Sequence, residues 1–84
     1  MPEIEIGKVT HFFDKISVAA ITLSGELAVG DTIHVKGHTS DFTAVVEGMQ
    51  IEHAKVQTAK AGDQIGTKVP AKAHEHDRVF KVTP

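Results

Sequence analysis

Apolar and polar residues alternate along short segments of this chain, and glycines and turn-forming residues separate those segments. In Ile33-His34-Val35-Lys36, the two apolar residues face one side of an extended backbone and the two polar residues face the other. No segment keeps apolar residues at helical spacing over several turns, although Ile51–Ala61 has room for one helical turn. The pattern predicts an all-β chain of about six strands, with a turn roughly every ten residues.

Two of the predicted strands change the parity of their apolar positions, and each change falls at a glycine. Gly7 separates Ile4 and Ile6 from Val9 and Phe13, and Gly48 separates Phe42, Ala44 and Val46 from Met49 and Ile51. An extra residue at such a point is typical of a β-bulge, which bends a strand. Because small barrels are built from strands bent in this way, we predict a six-stranded closed antiparallel β-barrel that occupies residues 1–84 as one domain.

One short phrase occurs twice, as Val29-Gly30-Asp31-Thr32-Ile33 and as Ala61-Gly62-Asp63-Gln64-Ile65. Glycine supplies a backbone conformation that a side chain would obstruct, and the Asp carboxylate is expected to accept hydrogen bonds from backbone amides just downstream. The β-branched Ile then opens a strand. We interpret the phrases as recurring turn chemistry, since the sequence around them does not otherwise align, and we assign no acid or base role to Asp31 and Asp63.

Charge and composition restrict the classes of function. Nine Lys and Arg stand against eleven Asp and Glu, a formal net charge of −2 that argues against a strong non-specific hold on nucleic acid. The absence of Cys excludes a disulfide and a thiolate metal site. The first residues do not read as a secretory signal, and no apolar run approaches membrane-spanning length, so we predict a cytoplasmic protein with no membrane association.

The order of these signals is similar to that of a known family. Its elements are Ile6-Gly7-Lys8-Val9, the segment from Gly25 to Asp31, and Lys60-Ala61-Gly62-Asp63-Gln64-Ile65-Gly66. The chain resembles the translation-protein β-barrel, the second domain of translational GTPases such as elongation factor Tu. The blocks Gly37–Thr43 and Asp77–Val82 are closer to the C-terminal barrel of collagenase-like peptidases, some of which modify RNA, and to the stand-alone translation elongation factor-like proteins.

The resemblance implies an accessory module that lacks its usual enzyme. In the GTPases a separate domain hydrolyses nucleotide with a phosphate-binding loop; no Gly-x-x-x-x-Gly-Lys-Ser/Thr occurs here, so no nucleotide hydrolysis is expected. The leading hypothesis is a non-catalytic module that binds RNA or ribosome and translation components and acts with a separate catalytic partner. An alternative from the residues alone is a protein–protein adaptor with no nucleic-acid role.

Candidate binding residues follow from the predicted strand exteriors. The RNA-binding candidates are Lys8, His34, Lys36, His38, Lys55 and Lys68. Basic side chains on a barrel wall can contact phosphate or base edges, but strand exteriors also need solubilising residues. Lys8, Lys55 and Lys68 join one patch only if the fold brings their strands together.

Adjacent phenylalanines are the candidates for a protein partner. Phe12 and Phe13 face opposite sides of an extended strand, so one is expected in the core and the other at the surface. An exposed ring there would anchor a partner or cover the end of the barrel. Phe42 opens a long predicted strand, which favours the core.

Evidence for metal binding or catalysis is weak in this sequence. His74 and His76 would point the same way on an extended segment, and imidazole suits zinc or copper, but a solvated turn explains the same residues. There is no Cys nucleophile, and Ser17, Ser24 and Ser40 lack the surroundings of an activated serine. We therefore expect no catalytic residue and no cofactor, with a His-based metal binder as a minor alternative.

Overall fold

The computed structural model describes residues 3–83, and those residues form strands and turns only. The strands are β1 (Glu3–Phe13), β2 (Val18–Leu23), β3 (Leu27–Ala28), β4 (Thr32–Lys36), β5 (Asp41–Val45), β6 (Met49–Ile51), β7 (Ala54–Val56), β8 (Thr58–Ala59), β9 (Gln64–Lys68) and β10 (Arg78–Val82). The all-β prediction is confirmed, and the helical turn considered between positions 51 and 61 does not form. Within this described range there is no helix that could cross a membrane.

The strands build one large open sheet and one small sheet. The large sheet has the order β5-β4-β10-β1-β2-β9-β6-β7, and each pairing between neighbours is antiparallel. β3 and β8 pair separately as a two-stranded sheet. Because β5 and β7 are the two edges and do not pair with each other, the prediction of a six-stranded closed barrel is wrong in its closure and in its strand count.

The opening arises where the long strand that was predicted to begin at Phe42 and to bulge at Gly48 is interrupted instead. Val46 leaves the strand because its N–H donates to the carbonyl of Asp31 and its own carbonyl accepts from the N–H of Gly30, both at 2.8 Å. Thr67 of β9 then donates its hydroxyl to the carbonyl of Gly48 at 2.9 Å. The chain continues as β6 beside β9, so one edge of β5 has no partner strand among the residues that the structure describes.

The predicted bulge in β1 is confirmed. The register of β1 against β10 shifts between Glu5 and Gly7. A Cβ atom on Gly7 would lie 2.8 Å from the carbonyl oxygen of Thr22, so only glycine allows β2 to approach this closely.

The core lies on the inner face of the curved sheet. Val9, Ile21, Val35 and Val79 come from four different strands and have no exposed surface. The remaining buried apolar residues are Ile6, Ala19, Leu23, Leu27, Ile33, Val46, Met49, Ala59, Ile65, Val69 and Ala73. Branched aliphatic side chains on the inward positions therefore supply most of the apolar burial that stabilises the fold.

The two Gly-Asp turns are built by equivalent hydrogen bonds. Asp31 Oδ2 accepts from the N–H of Ala28 at 2.9 Å, and Asp63 Oδ2 accepts from the N–H of Lys60 at 3.0 Å. Gly30 and Gly62 have φ values of 100° and 94°, which favour glycine. The interpretation as turn devices is confirmed, but each carboxylate caps an amide upstream of it rather than downstream.

The small sheet places the two turns opposite each other. Leu27 pairs with Ala59, and the two residues hold the same position relative to Asp31 and Asp63. Each turn also exchanges two backbone hydrogen bonds with one other residue: the first with Val46, just after β5, and the second with Leu23, at the end of β2. The repeated phrase thus marks a local structural symmetry in addition to recurring turn chemistry.

Candidate functional site

An apolar groove is formed where β2, β6 and β9 meet the turn between β1 and β2. Phe13 ends β1 and is 45% exposed, and Ile16 lies in the following turn and is 59% exposed. The carbonyl of Phe13 accepts a 3.3 Å hydrogen bond from the N–H of Ile16, and Ser17 closes the turn with a φ of 55°. This local geometry raises two large apolar side chains at one rim of the groove.

The floor of the groove is also largely apolar. Val18 and Ala20 of β2, Ile51 of β6, and Ile65 and Gly66 of β9 line a cavity of about 750 Å³. A Cβ atom on Gly66 would lie only 3.3 Å from Val18 Cγ1, so glycine at this position helps to keep the floor open. A groove of this size and lining suits an apolar side chain of a polypeptide.

The opposite rim is the two-residue turn between β6 and β7. Glu52 and His53 have φ values of 50° and 68°, so both occupy the left-handed region that non-glycine residues avoid. Positive φ at both central residues is characteristic of a type I′ hairpin turn, which usually contains Asn and Gly. Strained residues of this kind are concentrated at functional sites, so their position on the rim draws attention to the groove.

The ionisable groups of the groove give it a negative character. Glu52 and Asp63 contribute carboxylates, whereas no Lys or Arg is among the described residues that line it. Gln50 and Gln64 add polar groups beside the apolar floor. The groove therefore combines apolar contact with an electrostatic preference for a basic neighbour.

The predicted basic residues divide among several places. Lys8 of β1 and Lys36 of β4 lie on either side of Arg78 of β10, because Lys8 pairs with Arg78 and Arg78 pairs with Lys36. All three side chains are exposed, and we call them the basic row. Lys8 and Lys36 were among the predicted binding residues and Arg78 was not, although its outward position at the start of the last strand was an available signal.

Lys55 and Lys68 lie apart from the basic row. They line a separate cavity of about 430 Å³, together with the carboxylate of Glu47. His38 lies exposed in the bend after β4. The structure therefore does not gather the six predicted residues into one patch.

His34 is held by two carboxylates. Its Nδ1 lies 2.8 Å from Glu3 Oε2 and its Nε2 contacts Asp41 Oδ1, so β1, β4 and β5 are joined through one ring. The hydrogen bond to Asp41, followed by that to Glu3, raises the pKa of His34 above 6.5. The same contact with His34 lowers the pKa of Asp41 below 3.8. This histidine is engaged within the fold.

Phe12 and Phe13 lie on opposite sides of β1, as adjacent strand residues do, but the register shift between Val9 and His11 turns Phe13 away from the face that Val9 occupies. Phe12 is half-buried and packs against the core, whereas Phe13 points outward to the groove, where its ring makes an edge contact with His11 at 4.5 Å. Phe42 is also half-buried against the core. Ile16 lies exposed in the turn between β1 and β2.

The His74–Asp77 segment is a turn, not the extended segment that metal binding would use. Asp77 N–H donates to the carbonyl of His74 at 3.1 Å, and His76 has a φ of 73°. His74 Nδ1 is hydrogen-bonded to Ser40 Oγ at 2.9 Å. Within residues 3–83, no three His, Asp or Glu side chains are arranged to hold a metal ion.

Ser40, His74 and Asp77 form a cluster with the composition of a catalytic triad but without its geometry. Asp77 Oδ2 lies 3.9 Å from His74 Nδ1, the same ring nitrogen that Ser40 contacts. A triad uses opposite ring nitrogens for the serine and the carboxylate. Ser40 is also only 4% exposed, so a substrate carbonyl has no access to its hydroxyl.

The comparisons with known proteins point to peptidases. No family model matches the chain. It is 44% identical over 79 residues to an uncharacterised protease of Methanocaldococcus jannaschii, a match that covers 93% of this chain and 19% of that protein. The chain therefore spans about a fifth of the length of this curated relative.

Solved structures show the same fold. The C-terminal domain of a candidate U32 peptidase from Geobacillus thermoleovorans superposes with a TM-score of 0.89 at 18% identity, covering 95% of this chain and 93% of that chain. Its selenomethionine variant gives a TM-score of 0.85 at 18% identity, covering 89% and 95%. At this identity, the likeness concerns the fold.

These findings correct the function predicted from the sequence. The prediction of an RNA-binding or translation module is wrong, because the relatives are named as a protease and as a peptidase domain. The alternative of a protein–protein adaptor with no nucleic-acid role stays a prediction. The resemblance to the C-terminal barrel of collagenase-like peptidases is confirmed at the level of fold, whereas the link to translational GTPases remains a prediction.

Proposed function

We propose that this chain is a non-catalytic accessory domain of a U32-type peptidase and that the groove is its docking surface for the catalytic body of that enzyme. The observation that carries the proposal is the pair of exposed apolar side chains, Phe13 and Ile16, beside an apolar floor. Contiguous exposed apolar surface of this kind marks interaction sites, because covering it releases water at about 25 cal/mol per Å².

The comparison with the protease relative supports a large partner. The matched segment is 19% of that protein, so a domain of this kind stands there beside a much longer chain. In the 84-residue chain the groove is open to solvent. In a longer protein of this kind, the surface of the catalytic body is available to pack against it.

The cluster at Ser40 supports a non-catalytic role. Ser40 and Asp77 both approach the same ring nitrogen of His74, and Ser40 is buried. The chain has no Cys that would act as an alternative nucleophile. We therefore assign peptide-bond cleavage to the catalytic body of the peptidase and an accessory role to this domain.

A chimaera tests the proposal directly. This chain replaces the matching segment of the Methanocaldococcus jannaschii protease, and hydrogen exchange is compared between the chimaera and the isolated chain by mass spectrometry. We expect peptides that contain Phe13, Ile16 and Glu52 to exchange at least tenfold more slowly in the chimaera, since docking would shield the two rims. Equal exchange at both rims in a folded chimaera would reject the proposal.

A matched pair of substitutions distinguishes docking at the groove from non-specific hydrophobic association. Ile16→Ser removes an exposed apolar side chain from the groove, and Ile4→Ser removes one of similar exposure, 59% against 56%, that does not line it. The slower exchange should be lost in the first variant and kept in the second. Equal loss in both variants would show that the groove is not the docking surface.

A further inference from the structure

The basic row brings three cationic side chains together on the described surface. Lys36, Arg78 and Lys8 occupy directly opposed positions on three neighbouring antiparallel strands. Adjacent strands are about 4.8 Å apart, so the row extends about 10 Å across the sheet. It belongs to β4, β10 and β1 and shares no residue with the groove.

The fold offsets this arrangement only at its edge, where Asp41 of β5 is directly opposed to Lys36. Like charges in directly opposed positions destabilise a sheet. Among residues 3–83, no carboxylate lies within ion-pair distance of any of the three side chains. Solubility is served better by interspersed charges of both signs than by three adjacent cations. An anionic ligand would remove the repulsion and use all three groups.

We propose that the basic row binds the carboxylates of a short acidic polypeptide segment. Residues two apart in an extended chain are separated by about 7 Å and point to the same side, so two Asp or Glu side chains in that spacing fit within the row. The guanidinium of Arg78, at the centre, binds one carboxylate through two parallel hydrogen bonds. The ammonium groups of Lys8 and Lys36 hold the second carboxylate or strengthen the first contact.

The neighbours of the basic row favour a short acidic peptide over a nucleic acid. Asp41 lies beside Lys36 in the same register, and Glu5 pairs with Phe80, two residues along β10 from Arg78. These carboxylates border the row and would repel a phosphate backbone that continued beyond it.

An NMR titration of the full chain tests this proposal. The probe is a capped peptide of alternating Gly and Asp residues, the reference is the same peptide with Asn for Asp, and a uridine oligonucleotide of equal charge is a second ligand. We expect saturable shifts of the Lys8, Lys36 and Arg78 amides with the Asp peptide only. No saturable shift at these amides, or tighter binding of the oligonucleotide, would overturn the proposal.

Charge-matched variants locate the site. Arg78→Gln should weaken binding of the Asp peptide at least fivefold, while Lys68→Gln, which removes one charge from an exposed position outside the row, should change it less than twofold. Equal weakening in both variants would mean that the change in net charge alone explains the effect, and it would reject the site. Ile16→Ser should leave the peptide affinity unchanged, so failure of the groove proposal and failure of this one are separable.

Discussion

At the scale of single residues, His34 shows how two contacts determine a protonation state. A neutral imidazole has one donor and one acceptor, so two carboxylate contacts require the doubly protonated ring. The other groups that face this junction are Phe80 on β10, whose ring is tilted against the imidazole, and Lys36, which helps to lower the pKa of Asp41. The junction therefore ties three strands only while His34 carries its charge.

This dependence predicts a loss of stability as pH rises. The pKa of His34 is raised in the folded protein, so its contribution is fully present below the ordinary value of 6.5 and is lost as pH rises through the raised value. Asp41, whose pKa is lowered, contributes above 3.8 and loses its contribution as pH falls through the lowered value. Urea unfolding of the native chain and of His34→Gln between pH 5.5 and 8.5 should show a decline in the native chain that the variant lacks. Parallel curves would contradict it.

Gly37 illustrates a constraint that no local pattern reveals. A Cβ atom there would overlap Oδ1 of Asp77 and lie 2.5 Å from its Cγ. Asp77 is buried and accepts the N–H of His74 at 2.8 Å, so it has little room to move. We expect Gly37→Ala to lower the free energy of unfolding by about 2–3 kcal/mol in urea denaturation.

Gly48 provides the control for that substitution. A Cβ atom on Gly48 would meet nothing within 4 Å, and its φ is not positive. Gly48→Ala should therefore be neutral or stabilising by about 0.5 kcal/mol, because alanine restricts the unfolded chain. A loss of similar size in both variants would show that the contact with Asp77 is not the cause.

Residue-level prediction succeeded where alternation alone decides the outcome. The opposite sides taken by Phe12 and Phe13 follow from the strand period, and so does the exposure of Lys8 and Lys36. Which of the two rings faces inward does not follow from it, because the register of β1 shifts between Val9 and His11. Arg78 was missed because its neighbours in the row come from β1 and β4, and their register is fixed only by the sheet pairing. The carboxylate contacts of His34 depend on the same pairing.

At the scale of elements, turns were easier to predict than the ends of strands. The Gly-Asp phrases and the bulge at Gly7 carry their own backbone requirements, so their positions could be read directly. The break after β5 could not, because it results from hydrogen bonds between Val46 and the distant Gly30–Asp31 turn. The parity of the apolar positions changes at Gly48 whether the strand is bulged there or interrupted there. The sequence pattern therefore does not distinguish the two.

The hairpin between β6 and β7 is an element whose turn sequence disagrees with its backbone. Left-handed conformations cost L-residues roughly 1–2 kcal/mol each, and Glu52 and His53 both adopt them. Replacing the pair by Asn and Gly, the preferred residues of this turn, should raise the free energy of unfolding by at least about 1 kcal/mol. Urea denaturation measures the gain.

A glycine placed elsewhere checks the cause of that gain. His38 lies in a bend without a positive φ, so His38→Gly should not stabilise the protein. If the groove uses the strained turn, the stabilised hairpin variant should dock less well in the chimaera, because its rim loses both Glu52 and His53. No gain in stability would mean that the turn is not strained.

At the scale of the whole molecule, the fold class was predictable and the closure was not. Turn spacing and glycine positions fit a closed barrel and an open curved sheet equally well. What separates them is whether β5 finds a second partner, and that depends on the path of β6 across to β9. The interaction surfaces could not be predicted for a similar reason, because the groove and the basic row each combine strands that are distant in sequence.

The open edge makes a prediction that distinguishes the two architectures in solution. In an antiparallel edge strand, alternate N–H groups point away from the only partner. Alternate amides of β5 should therefore exchange with solvent at least a hundredfold faster than amides of β1, which has β10 and β2 on its two sides. Amide-resolved hydrogen exchange by NMR measures both sets in one experiment. Protection of every β5 amide to the level of β1 would mean that another strand or a second copy covers the edge, whereas fast exchange confined to alternate residues between Asp41 and Val45 fits the open sheet.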